Sequence, residues 1–332
     1  MTLHLASEDV RRLVTHEVAM RAARAVLQAQ REGDFALPPR LDVDLPNGFL
    51  RSMPAALAPY MGMKVMSLAR GIGNRYLILV YSQEDGDLLA VIDAAEVTQL
   101  RTAATTAVAG GLLAPEGTEL LGLLGSGWEA AGHLRAFAQQ WPLKHVLVHS
   151  PNVERCASFA ARMTEELGIA VTPVATSAEA VGTPPVTLLC TKAPTPVVDG
   201  HAFPPGAVVL SIGSTRPDLR ELDDATMRRT GVLLVDDPRQ VVAESGDIAT
   251  GLASGALSQD HIVAMHEWAE TPATPGRDLR TFKSVGTALQ DLALAAELIT
   301  AARASGVGRE IGELAALKPH AARPTRIVEQ TS

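Results

Sequence analysis

The stretch Glu119-Leu-Leu-Gly-Leu-Leu-Gly-Ser-Gly-Trp-Glu-Ala-Ala-Gly-His-Leu-Arg135 constrains this chain more than any other, because an apolar strand runs through a glycine turn straight into a helix. Such a turn is built to hold a pyrophosphate. Gly125 allows the tight turn, Gly127 lets backbone approach a phosphate with no Cβ in the way, and Ala130 supplies the small residue where helix meets strand. The helix then presents free N–H groups and the positive end of its dipole to an anion. A lone glycine triplet is a weak signal, and a bare strand-to-helix turn is the competing reading.

The residues beyond the turn strengthen the nucleotide reading. A dinucleotide fold ends its second strand about 20 residues on, where an acidic side chain often grips the ribose 2′-hydroxyl. Here that strand is Lys144-His-Val-Leu-Val-His-Ser150, followed by Pro151-Asn-Val-Glu-Arg155 and a helical run from Cys156 to Leu167. No carboxylate sits at the strand tip. Ser150, Asn152 and Arg155 occupy the region, and a hydroxyl, an amide and a guanidinium suit a 2′-phosphate, so NADP(H) is the expected cofactor and NAD(H) its alternative; the bland reading is three solvated turn residues.

At 332 residues the chain exceeds the usual single core, so two domains are expected. With 47% hydrophobic and 20% charged residues it reads as a globular protein, and aromatics at only 4% predict an aliphatic core. A net charge of −8 with no basic runs argues against a nucleic-acid surface. Cys156 and Cys190 are too few for a disulfide framework and lack metal-ligand spacing, so no metal is expected. With no secretory leader and no apolar run near the roughly 20 residues of a membrane span, the expected location is cytoplasmic, without membrane partners.

Periodicity divides the chain. Ser7 can cap a helix whose apolar spacing runs through Leu27. The pattern then alternates in Leu41–Leu45, in Gly62–Leu68 and in Tyr76–Tyr81, where the turn Glu84-Asp-Gly-Asp precedes Leu88–Asp93. A helix follows over Glu96–Leu113. From Leu120 onward, short apolar runs at Leu120–Gly125, Val146–His149, Thr187–Thr191, Val208–Ile212 and Leu233–Val235 alternate with mostly helical sequence, the mark of a doubly wound parallel sheet. Thr281–Ser305 reads as a strand end and a long helix crossing back, and Lys318–Ser332 as a surface arm. The fold class is therefore α/β: a Rossmann-type doubly wound sheet (116–305) plus an α+β substrate-binding and dimerisation domain (1–115, with a return at 306–332).

Arg40, Lys64 and Arg101 are cations in apolar or strand-like settings. A buried cation needs an anionic partner, and a substrate carboxylate beside a cofactor cleft is one candidate; surface salt bridges are the other. An arginine fork fits a carboxylate, and a lysine whose pKa is lowered by burial can exchange a proton. Met53, Met61, Met63 and Met66 read either as an adaptable apolar pocket wall or as plain core.

The segments Arg40 through Arg51-Ser-Met-Pro-Ala55, Gly62–Ser67, Leu100–Ala109, Gly125–Ala130, Ser211–Asp223 and Phe282–Asp291, in this order, resemble the ornithine cyclodeaminase/μ-crystallin family over nearly the whole chain. The resemblance implies a homodimer whose first domain holds both the dimer interface and the pocket for a small imino-acid or amino-acid substrate. Arg40, Lys64 and Arg101 match the family's carboxylate-binding and catalytic basic residues. Thr102, Ser126, Trp128 and Glu129 fall beside the cofactor, Thr191 and Ser214 end two later strands there, and Lys283, Ser284, Val285 and Gly286 match the loop near the nicotinamide. Where cyclodeaminases and the archaeal alanine dehydrogenase carry an Asp, this chain has Thr215, whose hydroxyl cannot serve as a base near neutrality. The departure favours the ketimine-reducing side: hydride transfer to the C=N of a carboxylate-bearing imine, with Lys64 as proton donor or orienter. Against it stand an ornithine or lysine cyclodeaminase-type lyase with bound NAD, an alanine-type dehydrogenase, and a non-catalytic NADPH-binding protein.

Overall fold

The computed structural model describes residues 1–269 and 276–314. The chain opens with β1 (Leu3–Leu5), α1 (Ser7–Leu13) and α2 (His16–Glu32). Ser7 is not the cap that its position predicts: Ala6 takes that place, Asp9 accepts from the Ala6 N–H, and the helical run breaks at Val14, where Thr15 caps α2 by accepting from Val18 N. Six strands follow: β2 (Phe35–Ala36), β3 (Leu41–Leu45), β4 (Gly48–Leu57), β5 (Tyr60–Ala69), β6 (Gly73–Ser82) and β7 (Leu88–Asp93). Pro54 obscures β4 in the sequence. It is tolerated because β3 pairs with β4 only as far as Ser52 and β2 begins again at Ala56, leaving the proline where that edge has no ladder partner.

Register assigns two faces to this sheet. Lys64 lies across from Met53 and Ile78, and Met66 across from Arg51 and Tyr76, so these six side chains share the inner face. Leu41, Val43, Leu45, Leu50, Met61, Met63 and Leu77 fall on the other face, which removes Met61 and Met63 from the pocket wall that the methionine pattern left open. Met53 is core, and Met66 alone of the four reaches the cavity.

The long helix α3 (Ala95–Leu113) leads into β8 (Leu120–Leu124), α4 (Trp128–Gln140), β9 (His145–His149), α5 (Val153–Leu167), β10 (Ala170–Pro173), α6 (Ser177–Val181), β11 (Val186–Leu189), β12 (Val208–Ser211), α7 (Asp224–Arg229), β13 (Thr230–Val235), α8 (Pro238–Glu244), α9 (Gly246–Ala253), β14 (Ile262–Ala264) and β15 (Leu279–Lys283). All eight of these strands pair in parallel, in the order β10-β9-β8-β11-β12-β15-β13-β14. The chain reverses direction across the sheet between β8 and β11, and a doubly wound sheet opens its ligand crevice at such a switch point.

α10 (Ala288–Ser305) packs on β4, β5 and β6 and beside α2 and α3, and β16 (Arg309–Glu310) then pairs with β1. The return to the first sheet thus already includes the helix; the expected arm at Lys318–Ser332 lies outside the described residues. α3 is buried on nearly every side, touching α2 and α10 on one flank and α4, β12 and β15 on the other. One aliphatic cluster consequently runs from Leu5 and Val80 through Ala104 to Val146 and Phe282, joining both sheets.

A shared core predicts shared unfolding. Calorimetry should show a single cooperative transition, and Leu298→Ala, truncating a fully buried side chain of α10, should lower stability by about 2–5 kcal/mol without splitting it. Two separated transitions would contradict the continuous core.

Candidate active site

At the switch point a groove of about 400 Å³ is lined by Gly125, Ser126, Gly127, Ser150 and Arg155, and by Thr191 and Lys192 beyond β11. Gly125 holds φ +112, and a Cβ there would stand 2.6 Å from the Cys190 carbonyl oxygen; in front of Gly127 the space is open. Ala130, fully buried, is the small residue at the helix start. The loop therefore fits a dinucleotide pyrophosphate, with the α4 N-terminus behind it. Arg155 is exposed beside Ser150, whereas Asn152 spends its Oδ1 capping α5 by accepting from Arg155 N. Trp128 is half exposed and lines neither this groove nor the cavity next to it.

That cavity, about 190 Å³, shares Cys190, Thr191 and Lys192 with the groove and reaches back to the first sheet. Arg40, Arg101 and Thr215, expected at the substrate, and Thr102, Glu129, Thr191, Ser284, Val285 and Gly286, expected at the cofactor, all line it, so residues scattered from position 40 to position 286 meet in one cavity. Arg51, Tyr76 and Lys192 join them; nothing in the local pattern singled these out.

Lys64 lies behind the wall. Its ammonium is 2.7 Å from Asp291 Oδ2, while Arg101 Nε donates to Asp291 Oδ1 at 3.0 Å, and both cations are almost fully enclosed. Burial brings the lysine pKa down to about 7 even with Asp291 opposing the shift, Arg101 adding to the fall. Arg101 also donates Nη1 to Gln290 Oε1 at 2.9 Å and passes over Gly286, where φ is +77 and a Cβ would meet Nη1 at 2.3 Å. Only glycine fits there.

Arg40 is anchored across the sheets: its Nε stands 2.6 Å from Glu244 Oε1, and Nη2 donates to the Gly286 carbonyl at 2.7 Å. Burial pushes the Glu244 carboxyl up to about 7 despite this partner. Asp236, at the end of β13, fixes the neighbouring loop by accepting from Ser284 Oγ at 2.7 Å and Gly286 N at 2.6 Å. A second buried group sits under the other wall. Glu221 accepts from Thr191 N, Thr191 Oγ1, Ser211 Oγ and Gly213 N, and Lys283 donates to Ser211 Oγ at 2.9 Å and lies 3.1 Å from Asp247. Lys283 and Ser214 are thus wall supports, Ser214 bonding to the Leu219 carbonyl, and neither lines the cavity or the groove. The anions Asp291, Glu244, Asp236 and Glu221 escaped the sequence reading, for each lies far along the chain from the group it serves.

No group of His, Cys, Asp and Glu among the described residues could hold a metal ion, and no described helix is long and apolar enough to cross a membrane.

Glu244 gives a pH test. A carboxyl whose folded pKa is raised favours the fold while protonated, so its contribution is intact below its ordinary value of 4.5 and is lost as pH rises through about 7. Melting temperatures of Glu244→Gln should therefore fall less steeply than those of the parent across that window, and an unchanged slope would contradict the assignment.

The ornithine cyclodeaminase/mu-crystallin family model matches residues 2–306. The mouse ketimine reductase mu-crystallin is 34% identical over 269 residues, 78% of this chain and 82% of its own. The alanine dehydrogenase of Archaeoglobus fulgidus is 28% identical over 320 residues, 93% of this chain and 98% of its own. Among solved structures, the Thermococcus litoralis Delta(1)-pyrroline-2-carboxylate reductase in complex with NADH and L-proline superposes with a TM-score of 0.86 at 29% identity, covering 93% of this chain and 100% of the other. The chain, a two-sheet α/β protein with a Rossmann-type nucleotide sheet, belongs to the ornithine cyclodeaminase/mu-crystallin family.

Proposed function

We propose that the protein is an NAD(P)H-dependent reductase of imino acids, of the ketimine or pyrroline- and piperideine-2-carboxylate type. The observation that carries this reading is the junction at Cys190–Lys192, where a glycine-loop nucleotide groove opens into a cavity lined by three arginines. A cationic wall suits a carboxylate, and the adjoining groove suits a dinucleotide, so the carbon next to the carboxylate lies on the nicotinamide side. Similarity to reductases of cyclic imino acids and of ketimines supports it.

Bound NAD(P)H supplies the hydride. This chain's residues hold the acceptor: Arg101 and Arg40 clamp the carboxylate, with Thr215 as a neutral hydroxyl in the same lining. Lys64 serves as orienter, since its ammonium is committed to Asp291 and thereby aims Arg101. Ser284, Val285 and Gly286, tied to Asp236, close the nicotinamide end. Gly125–Gly127 receive the pyrophosphate. Arg155 and Ser150, with no carboxylate at the β9 tip, favour NADP(H) over NAD(H).

Residues 1–115 with α10 and the C-terminal return then form the substrate and dimer half, and 116–287, not the expected 116–305, the nucleotide half. The homodimer forms through the outer face of the first sheet, where Leu41, Val43 and Leu45 are 66%, 51% and 58% exposed beside Leu50, Met61 and Leu77. Two free cysteines accord with a reducing, cytoplasmic setting.

A panel of cyclic imino acids and of 2-oxo acids with amines, offered with NADH and NADPH, should consume reduced nicotinamide. Ammonia release from ornithine or lysine without net cofactor turnover would promote the lyase instead. Arg155→Ala should weaken NADPH by roughly 10- to 100-fold, the loss of a charge-assisted hydrogen bond, and leave NADH within about threefold; equal effects on both cofactors would refute the 2′-phosphate role.

A further inference from the structure

Glu129 comes just after the glycine loop yet does not serve it. Gly125, Ser126 and Gly127 line the nucleotide groove, whereas Glu129, in the first turn of α4, lines the cavity on the other side of the junction. The backbone carrying it is pinned twice: the Glu129 carbonyl accepts from His133 Nδ1 at 2.7 Å, and the Trp128 carbonyl accepts from Gln99 Nε2 at 2.6 Å. Among the described residues no donor reaches its buried Oε2. A carboxyl oxygen enclosed in protein without a partner is costly, so a rigid helix start that holds one there points to a ligand as the missing partner.

Charge around the cavity narrows what that ligand atom is. Arg40, Arg51, Arg101 and Lys192 are the cations of the lining, and Glu129 is its one acidic side chain among the described residues. The cations acting on Glu129 are Arg101 from α3, Lys192 from beyond β11 and Lys64 from β5, while Tyr76 of β6 and Cys190 of the shared wall feel its charge. Burial outweighs the three cations and lifts the carboxyl above its ordinary range, which keeps a larger protonated fraction near neutrality.

We infer that Glu129 faces the imine nitrogen and delivers its proton, an inference that rests on imine reduction in this cavity. Protonated Glu129 breaks its O–H bond as an N–H bond forms on the imine, leaving a carboxylate beside a C=N cation. That anion stabilises a cation which the surrounding arginines would otherwise repel. The carbon then takes the hydride, the C=N π pair becomes the nitrogen lone pair, and a solvent proton restores Glu129. Imine, NAD(P)H and one proton give amine and NAD(P)+. Thr215, which lines the same cavity, has no proton it can release near neutrality.

The test compares Glu129→Gln and Glu129→Asp with the parent enzyme on a neutral ketimine and on an N-alkylated iminium of similar shape, whose nitrogen is already cationic and takes no proton. Glu129→Gln should lose roughly 100-fold or more in kcat on the neutral imine, with KM for the imine and Kd for NAD(P)H within about threefold. The loss should be smaller on the N-alkyl iminium, and Glu129→Asp should recover part of it. The parent's kcat/KM should fall with rising pH through one ionisation that Glu129→Gln lacks. A kcat within about threefold of the parent, or an equal loss on both substrates, or a loss confined to cofactor affinity, would overturn the role of Glu129 while leaving imine reduction standing. A parent enzyme inactive on every imine with both cofactors would remove the reading on which the inference rests.

Discussion

One buried carboxylate organises the cavity. Asp291, in the first turn of α10, takes Lys64 from β5 on one oxygen and Arg101 from α3 on the other, tying the first sheet, the bridging helix and the returning helix at one point. Two cations share one anion there. Arg40 has Glu244 and Arg51 has Asp42, each within ion-pair distance, whereas Arg101 shares its anion with Lys64 and Lys192 lines the cavity as a further cation. Removing one partner from such a buried group costs about 3–5 kcal/mol because a charge is left without compensation. The surplus cation is therefore held in place by the fold, ready for an anion that enters from the cleft.

The same economy governs the other wall. Thr191 and Gly213 lie just beyond neighbouring parallel strands, and a single carboxylate, Glu221, receives both together with Ser211. These contacts set the width of the junction between groove and cavity. Several residues expected beside the ligand line neither groove nor cavity: Lys283 and Ser214 hold the loops from behind, and Asn152 holds the start of α5. Support and contact are divided between different side chains, which lets the contacting groups keep free donors.

Local pattern was enough for the glycine turn and for strands such as β3 and β12, whereas the short β1, β2, β10 and β14 escaped it. Alternation at Leu41–Leu45 and apolar runs such as Val208–Ile212 match real strands because period and burial are local properties. β4 was harder, since a proline is a poor strand residue unless an edge is vacant, and vacancy is decided by β2 and β3. The first helix boundary fell to Thr15 because a break at Val14 leaves no mark on the apolar spacing. Of the site, the cations were legible as charges in apolar settings, and the family resemblance supplied their roles. Their anionic partners were not, because nothing near Asp291 in sequence says that it faces Lys64, and nothing near Glu129 says that its side chain turns from the groove to the cavity.

The central claim is that the cleft brings a reduced nicotinamide against the carbon of an anionic imine. Its most direct test tracks the hydrogen itself: the protein turns over a cyclic imino acid with NADPH deuterated at the transferable C4 position, and the amino-acid product is read by mass spectrometry and proton NMR. Imine reduction in this cleft predicts one deuterium, placed on the carbon between carboxylate and nitrogen. Product without deuterium at that carbon, or release of ammonia while the cofactor stays reduced, would contradict it.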